Sequence, residues 1–155
     1  MTQPTALTGQ DIAEAEGAVT GLLERALARE GATRDEYIGL RVLTLRGPWT
    51  SPRELHAFLA GQRQLGLTEA AAAELLARLE DRGLASGTSA DGPGPAEATP
   101  AGAALHASLT AAVAPVTREL YAGLEPGDLA AARRVLTQVT ERAGQLLTAT
   151  RRPAP

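Results

Sequence analysis

The chain has 155 residues, enough for one domain with a buried core, and a formal net charge of -3 that gives no general attraction to nucleic acid or anionic membrane. It contains no cysteine, which excludes disulfides, a thiolate nucleophile and cysteine-ligated zinc. All 15 basic residues are arginine, and only Tyr37, Trp49, Phe58 and Tyr121 are aromatic.

The first ten residues, MTQPTALTGQ, carry neither a basic start nor an apolar run, so no secretory leader is expected. No segment approaches the about 18 apolar residues that span a bilayer. A cytoplasmic protein without a membrane partner is the expectation. Residues 1–9 read as a loose arm, and a helix follows over 10–30. Its Ile12, Val19, Leu22, Leu23 and Leu27 fall near one face. Gly17 and Gly21 cost helix stability, which points to close approach of another helix. Gly31 ends this helix.

Thr33 and Glu36 form a capping box, and the helix they open runs through Leu40 and Leu43 to Gly47-Pro48. Ser51 and Glu54 predict a second box, with Pro52 at the first helical position, where its missing N–H costs nothing. Leu55, Phe58 and Leu59 give the third helix its buried face. Thr68 caps a fourth helix with Ala72, Leu75, Leu76 and Leu79 inward, and Gly83 stops it. Residues 84–99 are rich in glycine and proline and read as a two-stranded ribbon with a mobile tip. A fifth helix is predicted over 100–122, kinked at Pro115, and a sixth over 128–148. Residues 151–155 form a tail.

This order of elements resembles the MarR family of bacterial regulators. The resemblance covers nearly the whole chain. Its most specific parts are Leu76 to Leu84 (LARLEDRGL) and Thr99 to Leu105 (TPAGAAL), supported by the segment from Tyr121 through Leu136. It implies a mainly α fold: a winged helix-turn-helix lobe at 33–99, with its β-hairpin wing at 84–99, flanked by dimerisation helices at 10–31 and 100–150. The whole of 1–155 is then one MarR-like domain. It further implies a homodimer that binds duplex DNA and responds to a small apolar or phenolic ligand.

Two features depart from the family pattern. Residues 59–65 lengthen the connection before the recognition helix, and Asp91 is followed by Gly92-Pro93-Gly94-Pro95, without the arginine expected in the wing. The outward face of the fourth helix carries Glu69, Ala70, Ala73, Glu74, Ala77, Arg78 and Asp81, whereas base reading favours arginine, asparagine, glutamine or lysine. Between positions 62 and 100 three arginines, Arg63, Arg78 and Arg82, face six carboxylates. Phosphate neutralisation supplies much of DNA affinity, so this balance works against it. The candidate DNA contacts are Arg53, Gln62, Arg63, Gln64, Thr68, Arg78 and Arg82.

Tyr37, Trp49, His56 and Phe58 are the candidate ligand contacts, placed where the resemblance sets the small-molecule pocket between lobes. Plain core packing is the competing role for these aromatics. His56 and His106 lack a second ligand at the i+4 spacing of a helical metal site, so no metal is expected. No nucleophile elbow, phosphate loop or paired-histidine motif is present, and neither a catalytic residue nor a cofactor is assigned. Two functions stay open: a DNA-binding, ligand-responsive regulator, and a MarR-like scaffold that has lost sequence-specific DNA binding and binds or acts on a small molecule.

Overall fold

The structure is a computed structural model and describes residues 6–150. Most of the N-terminal arm and the tail at 151–155 lie outside the described residues. The elements in chain order are α1 (Gly9–Arg29), α2 (Arg34–Arg46), α3 (Pro52–Ala60), α4 (Glu69–Asp81), β1 (Ala85–Ser86), β2 (Glu97–Ala98), α5 (Pro100–Tyr121) and α6 (Pro126–Ala149). The mainly α architecture with a small hairpin agrees with the sequence reading. Contacts divide the chain into two compact units, Met1–Thr117 and Arg118–Pro155, with the boundary inside α5.

Local chemistry fixes most helix ends. At Thr33 the capping box closes as predicted: the hydroxyl accepts the Glu36 amide at 3.2 Å, and the Glu36 carboxylate accepts the Thr33 amide at 3.0 Å. Thr8 and Asp11 form a further box that the periodicity did not reveal, and α1 therefore starts one residue early. Ser51 corrects the second predicted box. Its hydroxyl accepts the Glu54 amide at 3.4 Å, but Glu54 does not reach back. The C-terminus of α4 ends on Gly83 at φ +70, a conformation that β-carbons disfavour. The Gly83 amide then bonds Glu80 O and the Leu84 amide bonds Leu79 O, each at 2.8 Å, which satisfies two carbonyls of the last turn.

In the first unit the core forms around α4. Ala72, Leu75, Leu76 and Leu79 are fully buried, against Leu27 of α1, Leu40 and Leu43 of α2, Leu55 and Leu59 of α3, and Leu109 of α5. Each buried leucine contributes about 1.5–3 kcal/mol by leaving water. β1 and β2 pair antiparallel, Ala85 with Ala98 and Ser86 with Glu97. Trp49, between α2 and α3, adds a bridge to this ribbon by exchanging two 2.8 Å hydrogen bonds with Ala96. The ribbon thereby ties the segment between α2 and α3 to the start of α5. Thr99 completes the tie: its hydroxyl donates to Gly83 O at 2.6 Å and accepts the Gly102 amide at 3.1 Å. Gly102 lies so close to Leu84 O that a β-carbon would collide with it. The α5 helix continues through Pro115.

The second unit contains the end of α5, a turn with Gly123 at φ +78, and α6, which opens with Pro126 in its first turn. No residue of α6 is buried. Val135, Leu136, Val139, Leu146 and Leu147 are all exposed, and a cleft of about 710 Å³ along α6 is walled by Tyr121, Leu129, Leu136 and Thr140 among others.

Candidate nucleic-acid interface

Helices α3 and α4 pack on each other, joined by residues 61–68, and the hairpin follows α4 directly. Leu65 and Leu67 anchor the long connection by packing on the core. The inward leucines of α4 leave Glu69, Ala70, Glu74, Ala77, Arg78 and Asp81 exposed, as the periodicity requires, while Ala73, expected outward with them, is half-buried.

The candidate DNA contacts fall into three groups. Arg63 and Arg78 are exposed and take part in no ion pair among the described residues. Gln62, Gln64 and Thr68 are committed to local bonds. Gln64 Nε2 donates to Gln62 Oε1 at 3.0 Å, and Thr68 Oγ1 accepts the Ala71 amide at 3.1 Å as the cap of α4. Arg53 and Arg82 already hold carboxylates. Arg53 reaches from α3 to Asp91 at the hairpin tip, 2.8 Å away, with both side chains well exposed. Arg82 pairs with Glu36 at 2.9 Å and also donates to Gly31 O at 3.3 Å, so it joins the end of α4 to α2 and to the end of α1.

Glu36 is the one buried carboxylate on this route. Burial pushes its carboxyl up, but the Thr33 amide, the Arg82 hydrogen bond and the charges of Arg82 and Arg78 outweigh it and hold the group below its ordinary value. Sequence identified Glu36 as a cap residue. Nothing in the sequence marks Arg82, 46 positions away, as its partner. Thr88 and Glu80 also escaped the sequence reading. The buried Thr88 hydroxyl donates to Glu80 Oε2 at 2.7 Å, which fixes the hairpin to α4.

The aromatic candidates are distributed over separate contacts. Tyr37 stacks on His106 with ring centroids 5.9 Å apart. Burial lowers the His106 pKa, and the Arg41 charge lowers it further. Trp49 packs tilted on Phe58 at 5.3 Å, and the Arg46 guanidinium lies 4.9 Å from the Phe58 ring centre. Among the described residues Trp49 Nε1 and Thr44 Oγ1 are buried without a hydrogen-bond partner, a costly state for each. His56 Nε2 lies 2.7 Å from Thr88 O. A carbonyl only accepts, so this nitrogen carries the proton. Tyr37, Trp49 and Phe58 are half-buried against the core. Among the described residues no cluster of three histidine or carboxylate side chains is placed to hold a metal.

A helix pair with an exposed second helix, followed by a two-stranded wing that returns to the core, defines a winged helix-turn-helix. Comparison with solved structures narrows this class. The chain is similar to the MarR-family protein Rv2887 of Mycobacterium tuberculosis in complex with DNA, at 27% identity and a TM-score of 0.64, covering 86% of this chain and 98% of that one. It is also similar to CouR of Rhodococcus jostii bound to p-coumaroyl-CoA, at 22% identity and a TM-score of 0.64, covering 83% and 87%. A MarR-family regulator of Silicibacter pomeroyi matches at 23% identity and a TM-score of 0.67, covering 86% and 91%. No protein-family profile matches the sequence, and no curated protein matches it. The chain has the MarR-family winged helix-turn-helix fold.

Proposed function

We propose that this chain is a cytoplasmic MarR-type transcriptional regulator that binds duplex DNA as a homodimer and responds to a small apolar or phenolic ligand. One observation carries the reading: α4 is held rigidly by its buried leucines while its opposite face stays exposed beside the wing. The similarity to a protein solved with DNA and to another solved with a small ligand supports it. In this reading 33–99 is the DNA-binding lobe of one domain, and the helices at 10–31 and 100–150 dimerise. No described helix is long and apolar enough to cross a membrane. The exposed apolar side chains of α6 suit an isologous interface with a second copy. Tyr37, Trp49, His56 and Phe58 are the proposed ligand contacts, and the Trp49 indole N–H, unpartnered among the described residues, is a donor that a ligand could engage if the side chains around it move.

A second reading is favoured by the charge of the same surface. Of its arginines, Arg53 and Arg82 are neutralised by Asp91 and Glu36, which leaves Arg63 and Arg78 against an acidic helix face. A MarR-like scaffold that keeps the fold and handles a small molecule would look the same.

Duplex binding followed by fluorescence anisotropy across a salt series separates the two. The regulator reading expects salt-dependent binding that weakens and loses salt slope when Arg63 and Arg78 are both replaced by alanine. Absence of binding to a library of duplexes, even at low salt, selects the scaffold reading. Tight binding that survives the double replacement means that the contacts lie elsewhere.

A further inference from the structure

Asp91 stands directly before Gly92 at the hairpin tip, and of the five aspartates in this chain it alone is followed by glycine. We propose that Asp91-Gly92 is a site of spontaneous covalent modification, at which the aspartate cyclises to a succinimide and reopens as isoaspartate.

The bond changes need no reactant but water. The Gly92 amide nitrogen attacks Asp91 Cγ and gives up its proton. The new N–Cγ bond closes a ring, the Cγ–OH bond breaks, and water leaves. Water then adds back at one of the two ring carbonyls. Opening at Cγ restores aspartate. Opening at the α-carbonyl leaves the chain running through Cβ and Cγ, one methylene longer, with the free carboxylate on Cα. Nucleophile and carbonyl belong to adjacent residues, so the reaction is intramolecular. Its rate is set by backbone freedom and by crowding at the nitrogen.

Both conditions favour Asp91 over the other aspartates. Asp11, Asp35, Asp81 and Asp128 lie within helices, each followed by a residue that carries a β-carbon. Ring closure needs a backbone rotation that the hydrogen-bond ladder of a helix resists. Asp91 lies outside the helices and strands and is exposed, and Gly92 has no β-carbon to crowd its nitrogen. The φ of Gly92 is not in the left-handed region, so the turn itself does not demand glycine there. The chain has no asparagine, so deamidation gives no second source of isoaspartate.

Two contacts restrain the turn. The Gly92 amide donates to Ser89 O at 2.9 Å, and Arg53 donates to Asp91 Oδ1 at 2.8 Å. Attack requires both to open. The Arg53 and Asp91 side chains are 76% and 86% exposed, so water replaces either partner at little cost. The restraint therefore slows the reaction without blocking it. Isoaspartate in turn draws the carboxylate back from Cγ to Cα and removes the Arg53 contact.

Peptide mapping tests the site. The full chain is kept for weeks near neutral pH at physiological temperature, beside a synthetic peptide of residues 86–97. Both are digested with a protease that cuts before aspartate but not before isoaspartate, and the products are separated by chromatography and mass. The expectation is a mass-neutral isoaspartyl product at Asp91, with a trace one water lighter, formed no more than about tenfold slower than in the peptide. The other four aspartates should stay intact. Gly92→Ala, whose β-carbon would sit 3.1 Å from Ser89 O, fits with a small shift of the turn. It should slow the reaction about tenfold by crowding the nitrogen. Arg53→Ala should speed it about threefold by freeing the carboxylate. An unchanged Asp91 in a chain aged until the peptide has converted overturns the proposal. So do equal conversion at another aspartate and a rate indifferent to both substitutions. The mapping reads the covalent change itself, so this site and the regulator reading stand or fall separately.

Discussion

Helices α4 and α6 present the same kind of sequence and opposite fates. Both are amphipathic, with leucine and alanine on one face and charge on the other. In α4 the inward positions Ala72, Leu75, Leu76 and Leu79 are fully buried, because α2, α3 and β1 pack against it. In α6 no residue is buried, and Leu136 and Leu146 are 43% and 68% exposed. An apolar stripe states that something must cover it. It does not state whether the cover comes from the same chain.

The largest expected effect exploits that contrast. Leu76→Ala in α4 should cost about 3–4 kcal/mol in denaturant unfolding, since a buried leucine is replaced by a cavity. Leu136→Asp in α6 should leave helix content unchanged but convert a self-associating chain into a monomer in sedimentation. The wild-type melting temperature should rise with protein concentration, and that of Leu136→Asp should not. If both variants unfold at the wild-type midpoint and both sediment alike, the two helices do not differ as described.

A smaller effect concerns how α4 is fastened. Glu36→Gln should destabilise the fold by about 1–2 kcal/mol near neutral pH, less than a fully buried ion pair because Arg82 remains partly exposed to solvent. The folded state holds the Glu36 carboxyl below its ordinary value of 4.5. Its contribution is therefore complete above that value and is lost as pH falls through the lower, folded one. The difference in stability between wild type and Glu36→Gln should shrink on acidification below pH 4.5. A difference that is constant with pH would mean that shape, not charge, joins α2 to α4.

The smallest effect is expected at the hairpin tip. Arg53 and Asp91 are exposed, so Asp91→Ala should change stability by less than about 0.5 kcal/mol. It should nonetheless raise non-specific affinity for duplex DNA, because Arg53 then loses its neutralising partner. A change of more than about 1 kcal/mol would show that the pair holds the wing in place rather than trimming its charge.

The helix ends and the inward faces were legible because their causes are local. Thr33 with Glu36 and Thr68 before the α4 repeat act within one turn, and so does Gly83 after it, where only a residue without a β-carbon fits easily. The outward face of α4 followed from the same period. The site was less legible. The seven DNA candidates were chosen by type and neighbourhood, which cannot show that Arg53 and Arg82 already hold carboxylates 38 and 46 positions away. The four ligand candidates looked like one cluster because they lie between positions 37 and 58, yet while Trp49 and Phe58 pack on each other, Tyr37 stacks on His106 and His56 bonds Thr88 O.

The sequence by itself determined where α2, α3, α4 and α5 begin, which face of α4 avoids water, and that the middle of the chain carries more acid than base. These follow from backbone capping, from the 3.6-residue period and from counting charges. The tertiary structure alone decided which charges meet, that Trp49 joins the wing, that His56 is fixed through Thr88, and that α4 is covered while α6 is not. Those outcomes depend on which distant segments share a surface, and no local rule of the chain encodes that.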